Sequence, residues 1–201
     1  MQYRKFGSLD FEVSALGFGA MRLPGRRFSL MGADTNESIK IMRSAIDQGI
    51  NYIDTAWFYH LGESEKVLGQ TLKDGYREKV KLVTKLPMPL VRRIEDFDRY
   101  LNSQMERLQT DFIDIYLFHS MDAGQHEKMQ RLGLMEKMEE AQRQGRIGHI
   151  GFSFHDTLPV FKEIIDYYDW DMTQIQLNYM DTGYQAGIEG MKYANEKGIA
   201  V

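Results

Sequence analysis

Along this chain, short runs of β-branched and aromatic residues alternate with stretches whose apolar residues recur every three or four positions. The runs near residues 15–20, 51–55, 80–85, 112–119, 149–153 and 173–178 have strand character, and each breaks into a polar or Pro/Gly-containing segment. Gly198-Ile-Ala-Val201 opens a seventh. Between them lie helical stripes. Asp34-Thr-Asn-Glu37 offers an N-cap with an acid three residues on, and Ile39, Met42, Ala45 and Ile46 then mark one face before Gly49 stops it. Val67, Leu68 and Leu72 mark a second helix, and Phe97, Tyr100, Leu101, Met105 and Leu108 a third. A fourth runs through Leu132, Met135, Met138 and Ala141 to Gly145, a fifth lies around Val160 to Ile165, and a sixth carries Ile188, Met191 and Ala194.

Strand and helix alternate throughout, which predicts a parallel sheet buried on both faces, either a closed barrel or an open doubly wound sheet. Two features favour the barrel. Gly17-Phe-Gly19 is followed by Ala20-Met21-Arg22, so the dinucleotide fingerprint Gly-x-Gly-x-x-Gly fails. The first segment also reads as a hairpin, with Tyr3 to Phe6 and Phe11 to Val13 flanking a turn at Gly7 to Asp10, placed to plug the bottom of a barrel. The expectation is an α/β chain with the (β/α)8 TIM-barrel fold, truncated after the start of strand seven and preceded by an N-terminal β-hairpin. All 201 residues are expected to form one domain, against about 250 for a complete barrel. Its open sheet edges are expected to favour self-association.

Candidate chemistry follows from where the strand runs end. Asp54, Lys85 and His119 each close such a run, spaced by about one βα unit, and Tyr59 lies just beyond Asp54. In a parallel barrel those strand ends converge on one mouth. Taken singly, the four read as a cap, an amphipathic core residue, a solvated lysine and a core histidine. Together at this spacing they point to a shared site. His60, His126, His149 and His155 lack that support and read as surface or supporting residues, and no pair at helical spacing suggests a metal site.

Composition narrows the classes. With 29 Asp+Glu against 25 Lys+Arg and no basic stripe, nucleic acid is not an expected partner. No apolar run reaches the roughly 18 residues of a membrane span, and the N-terminus lacks the apolar stretch of a signal peptide, so a cytoplasmic location is expected. The absence of cysteine excludes disulfides and thiolate-held metals within these residues. The 13 methionines read mainly as core filler.

At this point a family resemblance becomes specific. Gly49-Ile-Asn-Tyr-Ile-Asp-Thr-Ala-Trp-Phe-Tyr59 with Gly62-Glu-Ser-Glu65, Leu82-Val-Thr-Lys85, Leu108 to His119, and Gly145-Arg-Ile-Gly-His-Ile-Gly-Phe-Ser153 resemble successive motifs of the aldo/keto reductases. The segments Gly151 to Asp156 and Gln174 to Tyr179 are most similar to a bacterial and archaeal branch whose members often carry a C-terminal ferredoxin-like domain, which these residues do not include. The resemblance implies reduction of a carbonyl to an alcohol with hydride from NADP(H) or NAD(H). It places Tyr59 as general acid, Lys85 and Asp54 as the ion pair behind it, and His119 as the partner of the substrate carbonyl. A phenol of pKa about 10 is a poor acid-base group near neutrality, and the adjacent ammonium is expected to lower it. Gly19, Ala20, Met21, Ser153 and Gln174 match positions around the nicotinamide. Phe154 stands where many members have Asn, which removes one amide contact. The family's adenosine contacts come from segments after strands seven and eight, so both cofactors remain open. Trp57 and Phe58 are expected to line a pocket for an apolar small-molecule carbonyl. Two other functions fit the same residues: a non-catalytic truncated barrel that binds a partner, and a Schiff-base lyase using Lys85.

Overall fold

A computed structural model of the chain describes residues 1–25 and 34–201. Strands β1 (Tyr3–Lys5) and β2 (Glu12–Ser14) pair antiparallel as the expected hairpin. Strands β3 (Phe18–Gly19), β4 (Tyr52–Asp54), β5 (Lys81–Leu86), β6 (Ile113–Met121), β7 (Ile147–Phe154) and β8 (Met172–Gln174) form one six-stranded parallel sheet. Spatial order follows chain order, with no reversal. A doubly wound sheet requires such a reversal, and the sheet instead curls as an open part of a (β/α)8 barrel. The opening of a seventh strand is present as a parallel bridge between Met172 and Ala200.

The helices are α1 (Thr35–Asp47), α2 (Glu63–Thr71), α3 (Asp96–Leu108), α4 (Ala123–Arg131), α5 (Leu134–Arg143), α6 (Leu158–Tyr167) and α7 (Gly187–Glu196). Asp34 caps α1 as expected, its Oδ1 accepting the Glu37 N–H at 3.1 Å. The fourth helical stripe is α5, and a further helix, α4, precedes it. Gly133, at φ 63°, breaks α4 from α5 in a conformation that glycine adopts without a side-chain clash. The periodicity missed α4 because only His126 and Met129 are buried along it. Strand β8 is also shorter than expected, ending at Gln174 rather than running to 178. Its last pairing is Gln174 with Ser153, one residue before β7 itself ends, so residues 175–178 have no strand beside them on that side.

Alternation along each strand divides the apolar residues between two layers. On β5 to β7, Leu82, Leu86, Tyr116, Phe118, Ile150, Phe152 and Phe154 belong to the large core shared with the helices, among Met42, Leu68, Leu101, Met138 and Phe161. Facing the barrel interior, Val83, Ile115, Leu117, Met172 and Ala200 meet Phe6 from the hairpin turn, with Leu9, Phe11 and Val13 packed beside them. Hairpin side chains therefore fill the barrel floor. Interior positions beyond that floor are left for polar residues.

The register sets where those polar residues stand. Asp54 pairs with Val83, so Lys85 lies two residues further along β5. Lys85 pairs with Leu117, so His119 lies two further along β6. This stagger is the shear of a barrel. It carries the inward-facing strand ends round the rim on a common side.

Candidate active site

Asp54 and Lys85 point inward from neighbouring strand ends and form a buried ion pair, with 7% and 1% of their surfaces exposed. The Lys85 ammonium donates to Asp54 Oδ1 and to the Thr55 carbonyl at 3.0 Å, and it lies 3.5 Å from the Tyr59 hydroxyl. All three donors of the ammonium are thus directed at partners in the site.

Tyr59 begins a short 3₁₀ turn, 59–62, in which His60 and Leu61 both adopt left-handed φ angles of 50° and 55°. Such a conformation costs roughly 1–2 kcal/mol per non-glycine residue and persists only where the surroundings enforce it. One restraint comes from His60, whose Nε2 accepts the Leu23 N–H at 2.9 Å. Burial raises the Tyr59 pKa above its ordinary value, outweighing the downward pull of Lys85, while Asp54 adds a smaller upward push. The expectation that the ammonium brings this phenol down is therefore corrected in its net direction. Lys85 moderates the shift, and the group it faces is a protonated phenol.

His119 packs against the phenol ring. The two rings meet edge to face at 6.0 Å and 86°, and Phe58 lies 5.9 Å from the imidazole. A bulge follows His119, where the register shifts between Phe118 and Met121 and Ser120 takes φ 57°. Bulges of this kind re-aim side chains at rims and active sites. Burial, then the Lys85 charge, then His155 push the His119 pKa down to about 3. The imidazole is neutral across the physiological range, and its Nδ1 is buried without a hydrogen-bond partner.

Gln174 ends β8 and is paired in register with Ser153, the last residue but one of β7. The Ser153 Oγ accepts the Ser120 N–H at 2.8 Å, which leaves its own proton free to donate. Among the described residues the Gln174 side chain makes no hydrogen bond, and a Cβ built on Gly19 would meet nothing within 4 Å. A free donor, a free amide and open space at a strand end suit a flat carboxamide-bearing group lying across the mouth. Ala20 is buried while Met21 is exposed, and Ala20 is tied by its N–H to the Asp54 carbonyl at 2.8 Å. Phe154 points away into the helical layer, its ring 5.0 Å from Phe161.

The two aromatic residues expected to line the pocket separate. Phe58 faces His119. Trp57 instead packs toward the helices, edge-on to Tyr100 of α3 at 4.8 Å and under the Arg107 guanidinium at 3.6 Å, because successive residues of the turn point to opposite sides. Sequence reasoning also passed over Thr55 and Ser120, which act through backbone groups and so leave no residue-type signature. His60, read as a surface or supporting residue, has the supporting role, its partner being a backbone N–H.

Comparison with known proteins agrees with this architecture. The family model described as Aldo/keto reductase family matches residues 15–201, and the chain belongs to that family. It is similar to the aldo-keto reductase YhdN of Bacillus subtilis, 35% identical over 131 residues that cover 61% of this chain and 39% of the relative. It also resembles L-galactose dehydrogenase of Arabidopsis thaliana, 25% identical over 210 residues covering all of this chain and 64% of the relative. The chain thus spans less than two thirds of either relative. Among solved structures, the holo form of aldo-keto reductase AKR11C1 from Bacillus halodurans superposes with a TM-score of 0.78 at 27% identity, over 99% of this chain and 64% of that one. No helix among the described residues is long and apolar enough to cross a membrane.

Proposed function

We propose that this chain carries the reducing site of a nicotinamide-dependent carbonyl reductase, acting on an aldehyde or ketone. The observation that carries the proposal is one cluster: the Tyr59 hydroxyl 3.5 Å from the Lys85 ammonium, with the Tyr59 ring packed against the neutral His119 ring. Ser153 and Gln174 would hold the nicotinamide carboxamide, and Gly19 would leave room beside its ribose. When bound, the reduced nicotinamide supplies the hydride. The remaining chemistry belongs to the chain. Tyr59, kept protonated by burial, donates its proton to the carbonyl oxygen as that oxygen gains charge. His119, kept neutral, orients the same oxygen by a hydrogen bond and polarises it without competing as an acid. Lys85 stabilises the tyrosinate left behind, and Asp54 fixes the lysine. Phe58 and the neighbouring apolar side chains favour an apolar substrate, and exclusion of water strengthens each of these interactions.

The pairing of Lys85 with Asp54 weighs against a Schiff-base role. An amine engaged as an ammonium by a carboxylate and a carbonyl is a poor nucleophile. Tyr59→Phe tests the proposal, because it removes the proton and keeps the ring. Reduction of a reactive aromatic aldehyde is expected to fall at least a hundredfold, about the size of a general-acid contribution, while nicotinamide binding by fluorescence titration stays within twofold. Retention of a tenth of the parent rate would overturn the role of Tyr59. Binding without any reduction by the parent chain would favour a non-catalytic protein.

A further inference from the structure

The mechanism makes no use of Glu65, although it is a fully buried carboxylate, 0% exposed. Its Oε1 accepts the Thr84 hydroxyl at 2.8 Å and the Gln104 amide at 2.6 Å, and its Oε2 accepts Arg107 Nη1 at 3.1 Å. Gln104 also donates to the Lys85 carbonyl at 3.1 Å. Arg107 is thereby fixed from α3, and its guanidinium carbon lies 3.6 Å over the ring of Trp57, two residues before Tyr59. Tyr100 closes on the same indole at its edge. Gly62 follows at the end of the turn, where a Cβ would stand 2.8 Å from Arg107 Nη1. Arg107 therefore touches both ends of the segment that presents Tyr59.

We propose that Arg107, held by Glu65, is a positioning residue for Tyr59. This inference rests on the carbonyl-reductase reading for its kinetic consequence, but its structural claim stands on the contacts alone. The turn it braces contains two left-handed non-glycine residues, His60 and Leu61, and such a turn relaxes when its restraints are released. The indole stack is the restraint on one flank. The bond from Leu23 to His60 is the restraint on the other. A planar guanidinium matches both a carboxylate and an aromatic face, which lysine does not, so the stack depends on arginine itself. Glu65 is the reason that the guanidinium cannot swing out to solvent.

The test compares Arg107→Met, which keeps an apolar stem over the indole, with Arg107→Lys, which keeps a positive charge for Glu65. Tyrosine ring carbons are observed by NMR, with the Tyr59 signal identified by its loss in Tyr59→Phe. In both variants the Tyr59 signal is expected to shift or broaden and its titration midpoint to move, because the phenol loses its fixed distance to Lys85. In the catalytic assay kcat is expected to fall about tenfold with KM within twofold, the effect of a small misplacement. Arg107→Lys is expected to recover melting temperature but not kcat. An unchanged Tyr59 signal and midpoint in a folded Arg107→Lys protein would overturn the proposal, as would recovery of kcat in step with melting temperature. If the parent chain reduces no carbonyl, the proposed function fails while the NMR comparison still decides this inference.

Discussion

Lys85 and Asp54, placed in the proposed site, are also a liability to stability. Each is removed from water on the barrel interior, and removing one partner strands the other charge, at a cost of about 3–5 kcal/mol. Lys85→Met is therefore expected to lower the melting temperature sharply, and Lys85→Met with Asp54→Asn to recover much of that loss. Calorimetry on the four proteins of the cycle checks this; a double variant as unstable as the single would show that the charge pair is not the cause. Because Lys85 provides the largest downward pull on Tyr59, Lys85→Met should also raise the phenol midpoint further. His119 carries the opposite pH signature. Its folded pKa of about 3 lies below the ordinary 6.5, so between those values the unfolded chain binds a proton that the folded chain refuses. Stability from this group is complete above about pH 6.5 and declines as pH falls through the window. His119→Gln is expected to lose less melting temperature between pH 7 and pH 5 than the parent does, and equal losses would contradict the assignment of a neutral, buried imidazole.

At the scale of elements, polar side chains at the starts of alternate strands stitch the sheet along its floor. Asn51 Oδ1, just before β4, accepts the Ser14 N–H at 2.7 Å. Asp114, near the start of β6, accepts the Leu82 N–H at 3.0 Å and Arg77 at 2.7 Å. Asp171, just before β8, accepts the Ile150 N–H at 2.8 Å. The first ties the hairpin to β4, and the other two satisfy N–H groups that the staggered strand starts leave without a ladder partner. Asp114→Ala leaves a buried N–H and Arg77 without this acceptor and is expected to cost about 1–3 kcal/mol, with nicotinamide binding unaffected. Urea unfolding paired with a binding titration checks it; a loss of binding as large as the loss of stability would mean that the floor and the mouth are coupled. The elements themselves were largely legible in the sequence, because the strands are buried on both faces and so read as continuous runs, while α1, α3 and α5 bury clear stripes. Helix α4 was not legible, since a surface helix with two buried residues carries no stripe, nor was the early end of β8, which depends on where β7 stops. Asp54, Lys85 and His119 were found because each ends a strand run, and the stagger then brought them together. Trp57 was misplaced because adjacency in sequence says nothing about which side of a turn a ring takes.

The whole molecule is defined by a seam. Among the described residues strand β3 pairs only with β4, and on the other flank β8 meets only the short bridge at Ala200 beside β7. Between these edges lies a cavity of about 450 Å³, with Phe6, Val13, Tyr52, Met172, Ile175 and Leu177 among its walls. This cleft, whose walls mix those apolar side chains with Arg4, Lys5, Ser14, Thr173 and Gln174, lies beside strand edges and combines two features that drive association: apolar surface that gains by leaving water, and backbone groups that gain by finding partners. The 201-residue chain is accordingly expected to self-associate at micromolar concentration, with Lys or Glu substitutions at Val13 and Ile175 reducing association without altering the ring contacts of His119. Cofactor affinity belongs to the same scale. In the proposed site Ser153 and Gln174 would offer contacts to the nicotinamide half alone, and a long flexible dinucleotide loses much of its gross binding energy to ordering. Binding of NADPH is therefore expected to be weak, and little tighter than that of nicotinamide mononucleotide in its reduced form. Light scattering and calorimetric titration on the same sample measure both quantities. A monodisperse monomer that binds NADPH with sub-micromolar affinity would show that the seam is sealed in solution and that the adenosine half finds a surface among these residues.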